Sequence, residues 1–342
     1  LQGFQHREIR LMNASARPVV VVTETLSQRA LDYLRQHVEV RKIAMEDVER
    51  HIADADALIV RTYTQVRPPL LDRAKKLKVV GRAGVALENI DVPACRQRGI
   101  EVVHTPEANT LAVVDYTTRM MIEMNRRFWP LAGHVPPEEF HKIRKQAFGR
   151  FLSSCTLGIV GCGRIGSRVG RIAAAMGMTV LYNDIKPIRL DYPAQAVDKP
   201  TLYARSDIVT IHVPMTDLTR KFINAESLAQ FKDGAQFINA ARGQCVDYAA
   251  LADALRASRL SAAVIDCHDP EPPPPDYPLF HLGDKQGNVI LTPHAAARVP
   301  EAMERMSDVV YDIVAILSGQ APKFPAPPDA WGGGRSEERR VG

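Results

Sequence analysis

Three polar side chains stand where apolar runs stop: Arg242 in FINAARGQCVD, Glu271 in AVIDCHDPEPPPP and His294 in VILTPHAAA. Oxidation of a 2-hydroxy acid needs a base for the hydroxyl proton and a cation for the carboxylate and developing carbonyl oxygen. It also needs a partner that tunes the base. His294 suits the first role, Arg242 the second through bidentate pairing, and Glu271 the third. Singly, each also fits a structural place at a strand end. Together they point to proton-coupled chemistry on a small anion.

Upstream, GIVGCGRIGSRVG, residues 158–170, carries glycines spaced G-x-G-x-x-G. The spacing alone also fits an ordinary strand-to-helix turn. Its surroundings say more: TLGIVG reads as a buried parallel strand. Ile165, Val169, Ile172 and Met176 then fall on one helical face, and TVLYND stops at Asp184, about twenty residues on. In that order Gly161 permits the tight turn, Gly163 lets backbone approach a pyrophosphate and Gly166 lets helix pack on strand. N–H groups at the helix start would face the anion. Asp184 would accept ribose hydroxyls and disfavour a 2′-phosphate, so NAD is expected over NADP, with Lys186 and Arg189 nearby as a counterweight.

These residues need elements to hold them. PVVVVTE, VEVRKI, DALIVR, LKVVGRAG and IEVVHTP read as strands, separated by helical patterns, which means βα units and a parallel sheet. NTLAVVDYTTRMMIEMNRRF reads as a long apolar-faced helix. A polar connector then leads to a second series, DIVTIHVP, AQFINAARG, SAAVIDC and NVILTPH, and PEAMERMSDVVYDIVAILSG closes the chain. The expected fold is α/β, with two Rossmann-like or flavodoxin-like parallel-sheet domains. A nucleotide domain (108–296) is inserted between the parts of another (12–107 and 297–326), and ligands lie at the carboxyl ends of the strands. Residues 1–11 and 327–342 lack apolar periodicity and are read as disordered or non-native.

The 342 residues are 46% hydrophobic and 24% charged, with formal charge 44 − 39 = +5, ordinary for a globular protein of two domains. No basic stripe interleaved with aromatics points to nucleic acid, and no apolar run reaches the length of a membrane span. Cys95, Cys155, Cys162, Cys245 and Cys267 show no C-x-x-C pairing, which suits reduced thiols in a cytoplasmic protein. No metal site is expected.

Taken in order, VGRAGVALENIDVPAC, HTPEANTLAVVDYT, GIVGCGRIG, SDIVTIHVP, FINAARG, DPEP and LTPH resemble the D-isomer-specific 2-hydroxyacid dehydrogenase family over roughly residues 18–318, and most closely its short phosphoglycerate dehydrogenases. The resemblance implies an NAD enzyme with Arg242, Glu271 and His294 as its catalytic triad. It implies Arg164 and Ile165 at the pyrophosphate, Asp184 at the ribose, Val213 and Pro214 beside the adenosine, and Ala240, Ala241 and Asp266 around the nicotinamide, with Val85 adjoining. The substrate carboxylate would lie on the backbone of Arg82, Ala83, Gly84 and Val85, and Arg61 and Arg82 would reach a phosphate. Ala86, Glu88, Ala108 and the pair Asp115-Tyr116 depart from the family pattern, all on the substrate side.

The implied substrate is 3-phosphoglycerate with 3-phosphohydroxypyruvate; glyoxylate or hydroxypyruvate is the alternative, and an NAD-sensing corepressor or scaffold is a reading from another class. A symmetric homodimer that buries the helix around residues 109–128 is also implied.

Overall fold

Runs of β-branched residues build the first sheet, because their χ1-restricted side chains pack best on a pleated surface. In the computed structural model, which describes residues 17–280, 282, 288–328 and 330, five such runs are strands: β1 (Val19–Val22), β2 (Glu39–Lys42), β3 (Ala57–Val60), β4 (Val79–Arg82) and β5 (Glu101–His104). They pair in parallel in the order β2-β1-β3-β4-β5, the flavodoxin-like order, whose direction of winding reverses between β1 and β3. Both faces are covered. On one face Val20, Val22, Ile59 and Val79 pack with helix Gln28–His37 and with Val309, Val310 and Ile313 of the closing helix Val309–Leu317. On the other, Val21, Leu58, Val80 and Val102 meet Leu70, Leu71, Val92 and Cys95.

The last described residues belong to this sheet. Pro325 bridges Val103 in antiparallel fashion, the N–H of Ala326 donates to the carbonyl of Val102 at 2.7 Å, and the Asp312 carboxylate takes the N–H groups of Lys323 and Phe324. The sequence reading closes the fold at 326. In the structure the Arg96 guanidinium donates to the carbonyls of Ala326, Pro327 and Pro328, so the packed segment runs on past that point. The terminal calls on 1–11 and on 331–342 lie outside the described residues.

The second sheet has seven parallel strands: β6 (Thr156–Val160), β7 (Thr179–Asn183), β8 (Gln195–Ala196), β9 (Ile208–Ile211), β10 (Ala235–Asn239), β11 (Leu260–Ile265) and β12 (Val289–Leu291). Their order, β12-β11-β10-β9-β6-β7-β8, is doubly wound and changes direction between β6 and β9. Helices Thr110–Asn125 and Gly166–Ala175 cover one face; Lys199–Arg205, Ala225–Ala229 and Tyr248–Arg256 cover the other. The two-residue edge strand β8 has no apolar run of its own. It exists because Gln195 and Ala196 pair with Leu181 and Tyr182.

The two sheets define two units, 17–108 with 303–330 and 109–302. The sequence reading returned to the first unit at 297. Among the described residues no helix is long and apolar enough to cross a membrane.

At the reversal point of the second sheet, His212 follows β9. Its Nδ1 is buried without a partner, and its Nε2 lies 3.1 Å from the Thr210 hydroxyl. Burial pushes the imidazole down to about 4 from an ordinary value of 6.5. The folded chain therefore binds fewer protons here than the unfolded chain between those values, and folding loses stability as the pH falls from about 6.5 toward 4. Denaturant titrations across that window should show a slope from this residue approaching ~1.4 kcal/mol per pH unit. The slope should flatten in His212→Asn; an unchanged slope in the variant would place the effect elsewhere.

Candidate functional site

Arg242, Glu271 and His294 follow β10, β11 and β12, three adjacent strands, all at their carboxyl ends. Two devices hold the first two loops. Asn239, fully buried at the end of β10, accepts from the N–H of Ala241 and donates to the carbonyl of Arg242. Gly243 lies so close to the carbonyl of His268 that a Cβ there would collide with it, which fixes the Arg242 loop against the stretch leading to Glu271. The Arg242 guanidinium rests on the carbonyl of Ala241 at 2.6 Å.

His294 and Glu271 meet directly. Nδ1 of His294 is 2.9 and 3.0 Å from the two Glu271 carboxylate oxygens. A carboxylate only accepts, so Nδ1 carries the hydrogen, which leaves Nε2 as the nitrogen that can take or give a proton. His294 itself has φ +52°, a left-handed conformation that costs a non-glycine residue on the order of 1–2 kcal/mol. Asp266, fully buried, holds it there. The Asp266 carbonyl accepts the N–H of His294 at 2.9 Å, and its carboxylate accepts the N–H groups of Ala295 and Ala296 and the Thr292 hydroxyl. His268, with Nε2 on the carbonyl of Thr292, ties the Glu271 loop to the same segment.

The glycine loop lies at the reversal point between β6 and β9. Gly161 has φ +90°, and a Cβ on it would stand 2.6 Å from the carbonyl oxygen of His212. Gly166 abuts the Gly161 carbonyl with no room for a side chain. Gly163 differs: a Cβ there would meet nothing within 4 Å. Nothing in the chain's own packing asks for a glycine at 163, whereas an approaching pyrophosphate does. The helix that follows, Gly166–Ala175, starts without a side-chain cap, so its first N–H groups suit an anion. Asp184, directly after β7, accepts the N–H groups of Cys162 and Lys186. It therefore shapes the loop. Arg164 is exposed and Ile165 half-buried at the rim. Val213 packs against Gly161, and Pro214 follows it. Ala240 and Ala241 are buried beneath the loop after β10. The residues present fit a dinucleotide.

In the first unit, the carboxylate of Glu24, just past β1, accepts the backbone N–H groups of Arg61, Thr62, Tyr63 and Thr64, just past β3. Burial pushes this carboxyl up, but the four N–H groups outweigh it and hold it below its ordinary value. Arg61 thus sits on a pinned turn, its guanidinium on the carbonyl of Thr25 and the sulfur of Met303. Arg82 is buried and folded over Gly84, donating to the carbonyl of Ala83. The carbonyl of Gly84 takes the N–H of Thr105 and that of Val85 takes Nδ1 of His104 at 2.8 Å. Three successive carbonyls of the loop are therefore occupied, and its N–H groups are engaged as well: Ala83 donates to the carbonyl of Val60 and Gly84 to that of Arg82, both at 2.8 Å. Among the described residues no cluster of three His, Cys, Asp or Glu is arranged for a metal.

Sequence reasoning did not single out Glu24, Asn239 or Gly243, and for Asp266, which it places beside the nicotinamide, it did not see the bonds to the turn at His294. Only Asn239, an Asn ahead of the turn AARG, carried a local signal of its role, because Asn side chains close turns onto their own backbone.

Residues 118–296 match the family profile described as D-isomer specific 2-hydroxyacid dehydrogenase, NAD binding domain. The chain is 37% identical over 308 residues to a D-3-phosphoglycerate dehydrogenase of Archaeoglobus fulgidus, covering 88% of this chain but only 57% of that one. It therefore spans little more than half of that relative. It is 35% identical to a hydroxypyruvate reductase of Thermotoga maritima, over 85% of this chain and 95% of that one. A crystal structure of D-lactate dehydrogenase from Aquifex aeolicus, complexed with NAD and lactic acid, superimposes with a TM-score of 0.75 at 26% identity. That alignment covers 88% of this chain and 96% of that one. The cofactor is NAD.

The contrast among the glycines gives a test. Gly163→Ala should fold with an unchanged melting temperature and bind NADH at least tenfold more weakly. Gly166→Ala should lower stability itself, by roughly 1–3 kcal/mol of overpacking. Fluorescence titration with NADH beside thermal melts separates the two; equal NADH affinity in Gly163→Ala would remove the pyrophosphate from this loop.

Proposed function

Because the chain belongs to the D-isomer-specific 2-hydroxyacid dehydrogenase family, we propose that it is an NAD-dependent oxidoreductase interconverting a small D-2-hydroxy acid and its 2-keto acid. The observation that carries this reading is the His294–Glu271 pair, with Nδ1 engaged and Nε2 left to exchange a proton. NAD supplies the hydride acceptor in oxidation and, reduced, the hydride donor in the reverse direction. His294 takes the hydroxyl proton at Nε2 in oxidation and returns it to the carbonyl oxygen in reduction. Glu271 stabilises the imidazolium between those events. Arg242 holds the substrate carboxylate and polarises the carbonyl, where its fixed fork matters more than its charge.

The leading substrate pair is 3-phosphoglycerate and 3-phosphohydroxypyruvate. A second reading, hydroxypyruvate or glyoxylate, is favoured by one observation: the guanidinium groups of both Arg61 and Arg82 rest on protein acceptors within their own unit. A symmetric homodimer is part of the proposal. Supporting it, Leu111 and Ile122 on helix Thr110–Asn125 and Phe128, Phe148 and Phe151 beyond it are exposed. A cytoplasmic setting fits the five buried free thiols.

A panel of 2-keto acids assayed by NADH absorbance tests the activity, and the absence of turnover on any of them would favour an NAD-sensing corepressor or scaffold. With the best substrate, His294→Ala should lose roughly 10²–10⁴ in turnover while NADH still binds. Near-normal turnover would remove the proton-transfer role. Arg61→Ala and Arg82→Ala should weaken a phosphorylated substrate more than glyoxylate; equal effects would favour the unphosphorylated acids.

A further inference from the structure

The pair Asp115-Tyr116 stands apart from the family pattern, and the structure gives Tyr116 a defined partner. Its hydroxyl is 2.5 Å from Oγ1 of Thr292, and the Thr292 hydroxyl donates to Oδ1 of Asp266 at 2.6 Å. The direction of this chain is fixed by counting hydrogens. Thr292 has one, and it is committed to a carboxylate that only accepts; Tyr116 must therefore donate to Thr292. Burial supports that assignment by pushing the Tyr116 phenol up to about 12, so it keeps its hydrogen at any working pH. The chain ends on a fully buried residue that holds the N–H groups of His294, Ala295 and Ala296. Those three bonds hold His294 in its left-handed conformation.

We propose that Tyr116 and Thr292 are positioning residues for His294, acting through Asp266: a one-way chain of hydroxyl donors locks the carboxylate that sets the backbone, and hence the ring, of the proton-transferring histidine. The inference rests on the reading of His294 given above. Its physical basis is that Asp266 is fully buried and that, among the described residues, two N–H groups and one hydroxyl hold its carboxylate, so these donors set its orientation. Thr292 shares Oδ1 with Ala295. Without the hydroxyl, the carboxylate can rotate toward whichever amide remains, and the strained turn can relax. Hydrogen-bonding groups displaced by a fraction of an ångström lose proton-transfer efficiency without losing substrate or cofactor contacts.

The test compares Thr292→Val, which keeps the shape and removes the hydroxyl, with Thr292→Ser, which keeps the hydroxyl, and with Tyr116→Phe, all in the full chain. In 2-keto acid reduction below the melting temperature, Thr292→Val should lower kcat about tenfold or more with KM and NADH affinity within about threefold. Thr292→Ser should recover most of that loss, and Tyr116→Phe should lose less than Thr292→Val. Nitrogen-15 spectra of the imidazole rings read the same effect without turnover. The Nδ1–H signal of His294, assigned by its disappearance in His294→Ala, should be sharp in the parent and in Thr292→Ser and broadened in Thr292→Val. Parent-like kcat and spectrum in Thr292→Val would overturn the proposal, as would equal losses in Thr292→Val and Thr292→Ser, which would trace the effect to packing. If Thr292→Val fails to fold, Tyr116→Phe decides alone, and parent-like kcat and spectrum there overturn it. An active His294→Ala would instead overturn the underlying reading of the site.

Discussion

A carboxylate enclosed in protein is unfavourable unless donors surround it, and among the described residues Asp266 meets that demand with two backbone N–H groups and one hydroxyl. Satisfying the carboxylate and shaping the turn are one event. The donors it recruits are the amides that follow His294, and its own carbonyl takes the amide of His294. The left-handed backbone there follows from a solvation requirement, which is how a sheet edge can hold a strained residue. Glu271 then needs only to reach one ring nitrogen. Because Asn239 closes its own turn within a few residues and Gly243 lets the carbonyl of His268 approach, the edge is assembled from small devices on a rigid support.

The two units solve the same problem at their reversal points in opposite ways. In each, strands that diverge leave backbone N–H groups without acceptors in the sheet. In the first unit the chain provides its own anion, Glu24, and the four amides of residues 61–64 are consumed by it. In the second the helix start is left uncapped, and the glycine at 163 leaves open space beside it. One reversal point is closed by an internal carboxylate; at the other Asp184 takes the N–H of Cys162 while the helix start stays without a side-chain cap.

Much of this was legible in the sequence, because periodicity and strand-end polarity are local signals. The strand runs, the doubly wound order's glycine fingerprint and the positions of Arg242, Glu271 and His294 at carboxyl ends all follow from patterns a few residues long. What escaped depends on pairs far apart in the chain. Glu24 meets a turn some forty residues later, Gly243 is required by the carbonyl of His268, and Asp266 serves amides about thirty residues on; nothing near those residues in sequence announces the partner. The run past residue 326 escaped for a different reason. Pro327 and Pro328 have no side-chain pattern to read, and their hold is through carbonyls grasped by Arg96.

The closing helix has a consequence for the order in which the molecule can be made. One face of the first sheet is completed by Val309, Val310, Ile313 and Val314, and the glycine in β4, Gly81, is where Ile313 and Val309 press closest. Those residues leave the ribosome only after the whole of 109–302. At about 5–20 residues per second, the valines and isoleucine of that face wait roughly ten to forty seconds for their cover. The inserted unit, whose strands and helices are contiguous, has everything it needs before then. Synthesis therefore imposes a sequence of events: the middle of the chain can complete first, and the beginning remains an adhesive surface, open to chaperones or to neighbouring nascent chains, until the end arrives.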